Sequence, residues 1–283
     1  DARLVEDRVE NRLGNLAHTW SRMSTNGQPL VSTGHSAAWS SGGSLMIWGG
    51  EIWSQYCFVD CIYGQTPTNG GVRYLPASDT WVPMAATTAE PRKDHSAIWT
   101  GSQMIAWGGE NESAEALGDG MRYNLAANTW STMAAPPPSG EPSERESATA
   151  VWTGDALIVW GGLSSGTALR TGGIFRTASG WTGLPASGSP SPRFGHSAVW
   201  TGTEMIVWGV GLGDFGYVAK GGRYDPAFDR WSSVSDSGAP SVRTDASAVW
   251  TGVEMIVWGG AVLNQPMALN DGGRYNPFTD TWT

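Results

Sequence analysis

"HSAVWTGTEMIVWG", His196–Gly209, is written again fifty residues later as "ASAVWTGVEMIVWGG", Ala246–Gly260. Three more copies stand at "HSAAWSSGGSLMIWGG" from His35, "HSAIWTGSQMIAWGG" from His95 and "ATAVWTGDALIVWGG" from Ala148. The first Trp of the line falls at Trp39, Trp99, Trp152, Trp200 and Trp250, in steps of 60, 53, 48 and 50 residues. Periods of that size belong to propellers or helical arrays. The runs "HSAVW" and "MIVWG" are short, β-branched and aromatic, and a "TG" turn parts them before any helical spacing builds up. They read as two strands of a hairpin.

A second pair follows each time: "GGVRYLPASDTW", "GDGMRYNLAANTW", "GGIFRTASGW", "GGRYDPAFDRW" and "GGRYNPFTDTW". The Pro, Asn and Asp between Tyr and Trp are hairpin turn chemistry, so each unit holds four strands, the content of a propeller blade. Continuous apolar runs such as Met205–Trp208 imply cover on both faces, as between neighbouring blades. The expectation is one all-β domain over 1–283, with units at 35–81, 95–130, 148–181, 196–231 and 246–282.

An apolar strand ending in a glycine pair, then a Tyr separated by six residues from a Trp, occurs as Gly49–Gly50 with Tyr74/Trp81 and Gly108–Gly109 with Tyr123/Trp130. It recurs as Tyr224/Trp231 and as Gly259–Gly260 with Tyr275/Trp282. Unit three departs with Phe175 and one residue fewer before Trp181; unit four has Gly209–Val210 for the pair. The pattern resembles the Kelch repeat over nearly the whole chain, and the resemblance implies a Kelch-like β-propeller of four-stranded antiparallel blades. It does not choose a function, since Kelch-like propellers include copper radical oxidases, sialic acid mutarotases and adaptor or scaffold proteins.

Trp20, in "NRLGNLAHTW", falls in the fourth-strand position, with Arg12–Leu13 on the Arg–Tyr position of the third strand. The reading is five complete blades plus a partial sixth at 1–20, whose other two strands would have to follow Thr283. The alternative makes residues 2–13 a helix, from the spacing of Val5, Val9, Leu13 and Leu16, with five blades closing the ring alone.

Net charge is −9, and only Lys93 and Lys220 of the 17 basic residues are lysines, which leaves no basic stripe for nucleic acid. No apolar run approaches the ~20 residues of a membrane span. The chain opens at Asp1 without Met or leader, which is expected of a processed or excised product. Few lysines, an acidic Ser/Thr/Gly-rich surface and a close Cys pair point to an extracytoplasmic setting: secreted, periplasmic or cell surface.

In an antiparallel blade the connections between strands two and three and between blades emerge on one face, and these are the connections that vary. Aromatics outside the repeat gather there: Trp53, Tyr56, Phe58 and Tyr63 in "EIWSQYCFVDCIYGQTPTN", and Phe215 and Tyr217, beside Asp214, in "GLGDFGYVAK". These seven are the candidate binding residues. Cys57 and Cys61 are read as a loop-closing disulfide. His35, His95 and His196, with Arg92, Arg145, Arg193 and Arg243 three residues before the same column, are read as structural because repeat positions serve the repeat. The copper oxidase chemistry needs two His, two Tyr and a Tyr–Cys link that these positions do not supply, so no metal and no cofactor are expected. Glu110, Glu112, Glu141, Glu144 and Asp214 show no pairing by spacing, and no catalytic residue is assigned. The expected function is non-enzymatic binding or scaffolding of a protein partner, with a carbohydrate-directed protein, glycan-binding or mutarotase-like, as the alternative.

Overall fold

Each repeat folds as an antiparallel sheet because its four runs are too short for helices and are parted by left-handed turn residues. In the computed structural model, residues 22–29, 32–57, 61–137, 140–213, 216–262 and 267–283 are described, with backbone alone at 32, 53–57, 61–63, 212–213 and 216–219. Blade one is Ser36–Trp39, Leu45–Trp48, Gly71–Leu75 and Thr80–Pro83; blade two is Ser96–Trp99, Gln103–Trp107, Gly120–Asn124 and Thr129–Thr132. Blade three is Thr149–Trp152, Ala156–Trp160, Gly172–Arg176 and Gly180–Gly183. Blade four is Ser197–Trp200, Met205–Gly213, Gly216–Asp225 and Arg230–Val234, and blade five is Ser247–Trp250, Met255–Trp258, Gly272–Asn276 and Thr281–Trp282. Strands pair in chain order within each sheet, giving a five-bladed β-propeller; the described residues contain no helix. First strands of successive blades pack on one another around the axis. The partial blade at 1–20 and the alternative helix at 2–13 lie outside the described residues.

The second strand of each inner blade is buried on both faces, as its unbroken apolar run requires. Its terminal indole meets the fourth-strand Trp of the next blade: Trp48 on Trp130, Trp107 on Trp181, Trp160 on Trp231 and Trp208 on Trp282, with centroids 5.1 to 5.4 Å apart and planes tilted by 45° to 54°. Tilted aromatic pairs at this spacing add about 0.5–1.5 kcal/mol beyond the area they bury. Apolar cores accordingly join blades one and two, two and three, three and four, and four and five.

Tyr and Trp of the Kelch-like pair face each other across strands three and four, as in Tyr123↔Trp130 and Tyr224↔Trp231. The Tyr hydroxyl donates to a turn carboxylate or amide: Tyr74 to Asp79 at 2.6 Å, Tyr123 to Asn128 at 2.6 Å, Tyr224 to Asp229 at 2.7 Å and Tyr275 to Asp280 at 2.6 Å. Those acceptors hold φ between 48° and 53°, a region that Asp and Asn tolerate. Unit three has no hydroxyl to satisfy at Phe175, and Gly180 at φ 75° takes the left-handed corner at the same fifth place after the aromatic, one residue nearer the Trp. Its ring still meets Trp181 at 5.2 Å.

Each glycine pair turns the chain over the edge of the next blade. Gly161 has φ 69°, and a Cβ there would lie 2.5 Å from Cε1 of His196. Gly161→Ala is expected to cost about 1–3 kcal/mol in urea unfolding, the range for a non-Gly residue held in left-handed backbone. Gly161→Ala/His196→Ala should recover part of that loss, because the clash goes and the φ strain stays; no recovery would show that the ring is not the obstacle.

Candidate functional site

The connections between blades are fixed by a buried arginine clamp. Nη1 of Arg92 donates to the Gly108 carbonyl at 3.0 Å, and Arg145, Arg193 and Arg243 repeat the bond to Gly161, Gly209 and Gly259 at 3.1, 3.2 and 3.0 Å. A second carbonyl, one residue before the third strand in blades two, three and five and within it in blade four, accepts from the same guanidinium: Asp119, Thr171, Asp271 and Lys220. All four guanidinium groups are buried. Three also meet carboxylates, Asp119 at 2.8 Å, Glu141 at 2.6 Å and Asp271 at 2.9 Å. Arg193 has no acidic partner among the described residues, and burial lowers it to about 10. The clamp therefore rests on carbonyls, and the sequence reading of this column as structural holds.

The histidine column is structural too. His95 Nε2 and Ser36 Oγ are 2.6 Å apart, and His196 Nε2 and Thr149 Oγ1 are 2.7 Å apart, each bond joining neighbouring blades. Where the next blade carries Ala, the hydroxyl donates to that residue's carbonyl: Ser96 to Ala148 and Ser197 to Ala246, both at 2.6 Å. Desolvation, with Arg92 nearby, pulls His95 from 6.5 down to about 3, and burial pulls His196 well below its usual value. At His95 the unfolded chain then holds more protons than the folded one between about pH 6.5 and pH 3. The stability that these two histidines contribute is full above that window and is lost as pH falls through it. His95→Ala/His196→Ala, which installs the residue already present in units three and five, is expected to flatten the fall in urea midpoint between pH 7 and pH 4.5; an unchanged slope would move the acid sensitivity elsewhere.

Inside the clamp, one left-handed corner from each blade surrounds the axis: Gly34, Asp94, Ser147, Gly195 and Asp245, with φ from 51° to 65°. Backbone N–H groups link several of them, Asp94 to Gly34 at 2.8 Å, Ser147 to Asp94 at 2.8 Å and Asp245 to Gly195 at 2.7 Å. They line a cavity of about 230 Å³ at the channel mouth, with His35, His95 and His196 in its wall. Burial raises Asp94, and the nearby carboxylates, Asp245 among them, add to that rise against the pull of Lys93.

Beside the mouth the ring assembles an ionic cluster. Lys93 Nζ lies 2.7 Å from Glu51 Oε1 and 3.5 Å from Glu110 Oε1. Lys93 and Glu110 also exchange backbone hydrogen bonds, at 3.1 and 2.9 Å. Desolvation, and the hydrogen bond that its protonated carboxyl donates to the Glu110 carboxylate, push Glu146 up to about 7. A proton held between two carboxylates is the response to like charges in a partly dry place. Asn111, buried next to Glu110, donates to Glu90 at 2.7 Å and Glu115 at 3.0 Å and fixes the turn. Of the acids named from sequence, Glu110 joins this cluster, Glu141 serves the Arg145 clamp, Glu112 and Glu144 are exposed, and Asp214 lies outside the described residues.

Sequence spacing did not pair Glu110 with Glu146, 36 residues away on the next blade. Aligned by repeat they would have stood out: Glu51 and Glu110 share the column after the glycine pair, Lys93 and Glu146 the column after the arginine. Among the described residues no group of His, Cys, Asp and Glu could hold a metal ion.

The long connections of units one and four are β-hairpins. Glu51–Cys57 pairs with Cys61–Pro67 and with Ser32–Thr33, and strands two and three of blade four run on past the sheet to Gly213↔Gly216. Trp53, Tyr56, Tyr63 and Tyr217 lie on these ladders, described by backbone alone; Phe58 and Phe215 lie outside the described residues. Cys57 stands directly opposite Cys61. Residues opposed in an antiparallel ladder have Cα atoms about 4.5–5.5 Å apart, within the range a disulfide needs.

No protein-family model matches the chain and no curated protein matches it significantly. The likeness to Kelch repeats rests on the glycine pairs and Tyr/Trp spacings of the chain itself.

Glu146 binds its proton more tightly when folded, so between about pH 4.5 and 7 it holds an extra proton in the folded state and the stability it contributes falls as pH rises. Glu146→Gln should stabilise the protein at pH 8 and leave it nearly unchanged at pH 5. Equal effects at both values would show that Glu146 is not titrating in this window.

Proposed function

We propose that the protein is a non-enzymatic binding module, with a Kelch-like propeller as frame and the face carrying the channel mouth as contact surface, and that its partner is a protein presenting a basic side chain. The observation that carries the reading is the cluster of Glu51, Glu110 and Glu146 around a single Lys93, beside Asp94 and Asp245 at the mouth. Its carboxylates outnumber its cation, and the clamp below keeps the surface from rearranging. A rigid, complementary surface lowers the cost of association. The hairpins of units one and four, with the aromatics Trp53, Tyr56, Phe58, Tyr63, Phe215 and Tyr217 beside Asp214, extend the contact area, and buried aromatics commonly anchor interfaces.

The same reading takes Cys57–Cys61 as a disulfide and the protein as extracytoplasmic. Thiol titration of the denatured, unreduced protein should find no free thiol; two would defeat both statements. The carbohydrate-directed alternative keeps the hairpin aromatics as sugar platforms. A glycan array and a pull-down from native extract separate the two. The favoured reading expects a blank array and a retained protein whose affinity falls about 10-fold, or ~1.4 kcal/mol, in Glu51→Gln/Glu110→Gln. It also expects tighter binding at pH 8 than at pH 6, as the proton between Glu110 and Glu146 is lost. Specific sugar signals that survive the double substitution would favour the alternative.

A further inference from the structure

Four of the five second-strand tryptophans, Trp48, Trp107, Trp160 and Trp208, are at most 1% exposed, whereas Trp258 of blade five is 59% exposed. Val249 on its first strand is 56% exposed, against 5% for Val151 and 6% for Val199. Blade five thus presents the face that every earlier blade covers with its successor. What covered Trp208 was a fourth-strand indole, Trp282.

The segment that leads into blade one has the register of the connections between the later blades. Nε1 of Trp130, Trp181 and Trp282 donates to Ala85, Ala134 and Ser235, at 3.0, 2.9 and 2.8 Å. Each acceptor stands four residues after the preceding blade's fourth-strand Trp. Trp81 Nε1 makes the same bond to Ser24 at 2.8 Å, and Ser24 stands four residues after Trp20. The Ser24 N–H donates to Asp79 Oδ1 at 2.8 Å, as Ala85 does to Asn128 and Ser235 to Asp280, both at 2.9 Å. Three residues further on, Gly27 has φ 77°, like Gly188 at 74° and Gly238 at 77°, each seven residues after a fourth-strand Trp or, for Gly27, after Trp20. Residues 24–27 therefore repeat the geometry that follows the fourth-strand Trp in the later blades.

We propose that the exposed face of blade five seats residues 12–20 of this chain as the outer strand pair of a sixth blade, with the Trp20 indole against Trp258. The pairing follows the rule of the four formed junctions, in which the fourth-strand Trp of one blade covers the second-strand Trp of the blade before it. Arg12 and Leu13 then occupy the third-strand positions of Arg73 and Tyr74. The seat is apolar and aromatic, and chemistry of that kind selects an indole over a charged segment.

Hydrogen exchange on the 283-residue protein, at a concentration where sedimentation shows a monomer, tests the seat. Amides of residues 12–20 should be protected, and Trp258→Ser should abolish that protection while amides 156–160 keep theirs. Trp20→Ser should do the same without touching blade five, which keeps the test available should Trp258→Ser fail to fold. Free-peptide exchange at 12–20 overturns the proposal, as does protection that survives both substitutions. Protection that needs self-association would give the seat to a second copy and overturns it too.

Discussion

The contact between a second-strand indole and the fourth-strand indole of the next blade is the constraint on which the rest depends. A single four-stranded sheet with apolar residues on both faces has no stable existence in water, since each face needs a cover. The propeller gives every inner face the same cover in the same register. This explains why the second-strand line is nearly invariant across the units while the connections are free to differ. Stability in such repeats is close to a sum of blade and junction terms, so each junction contributes separately and an unmatched face is a local deficit.

From that contact the mouth of the channel follows in steps. Indole packing sets the distance between sheets. The glycine pairs let the chain turn over the next blade, where Gly161 has no room for a side chain against His196. The arginines then tie each interblade connection to two carbonyls of its own blade, and the left-handed corners from Gly34 to Asp245 close around the axis. Glu51, Lys93, Glu110 and Glu146 stand on this frame, and their charges act at short range because the frame holds them in a partly desolvated place.

The sequence made the fold legible because its information is local. Tight "TG" turns, Asp or Asn corners and runs of four or five residues specify strands within about fifteen positions, and repetition supplies the ring. Even the irregular unit three was readable as a blade, since Phe175 still finds Trp181. The carboxylate cluster was not legible in the same way. Glu110 and Glu146 meet only because adjacent blades pack, and their spacing along the chain says nothing of that. The histidines could be assigned as structural from their column, but the reason, a hydroxyl from the preceding blade that turns to a carbonyl wherever Ala replaces His, needed coordinates. The connections of units one and four, varied enough to read as loops, continue as ladders, as in Val210↔Ala219 and Ser54↔Gly64.

The most direct test of the account is a double-mutant cycle across the junction of blades three and four. Trp160 and Trp231 lie 5.2 Å apart, and stability is measured for the wild type, Trp160→Ala, Trp231→Ala and the double variant. The account predicts a coupling of about 0.5–1.5 kcal/mol between the two indoles, beyond the loss of buried area each change causes alone. Strict additivity would contradict it, and would mean that the blades are held together by something other than their paired tryptophans.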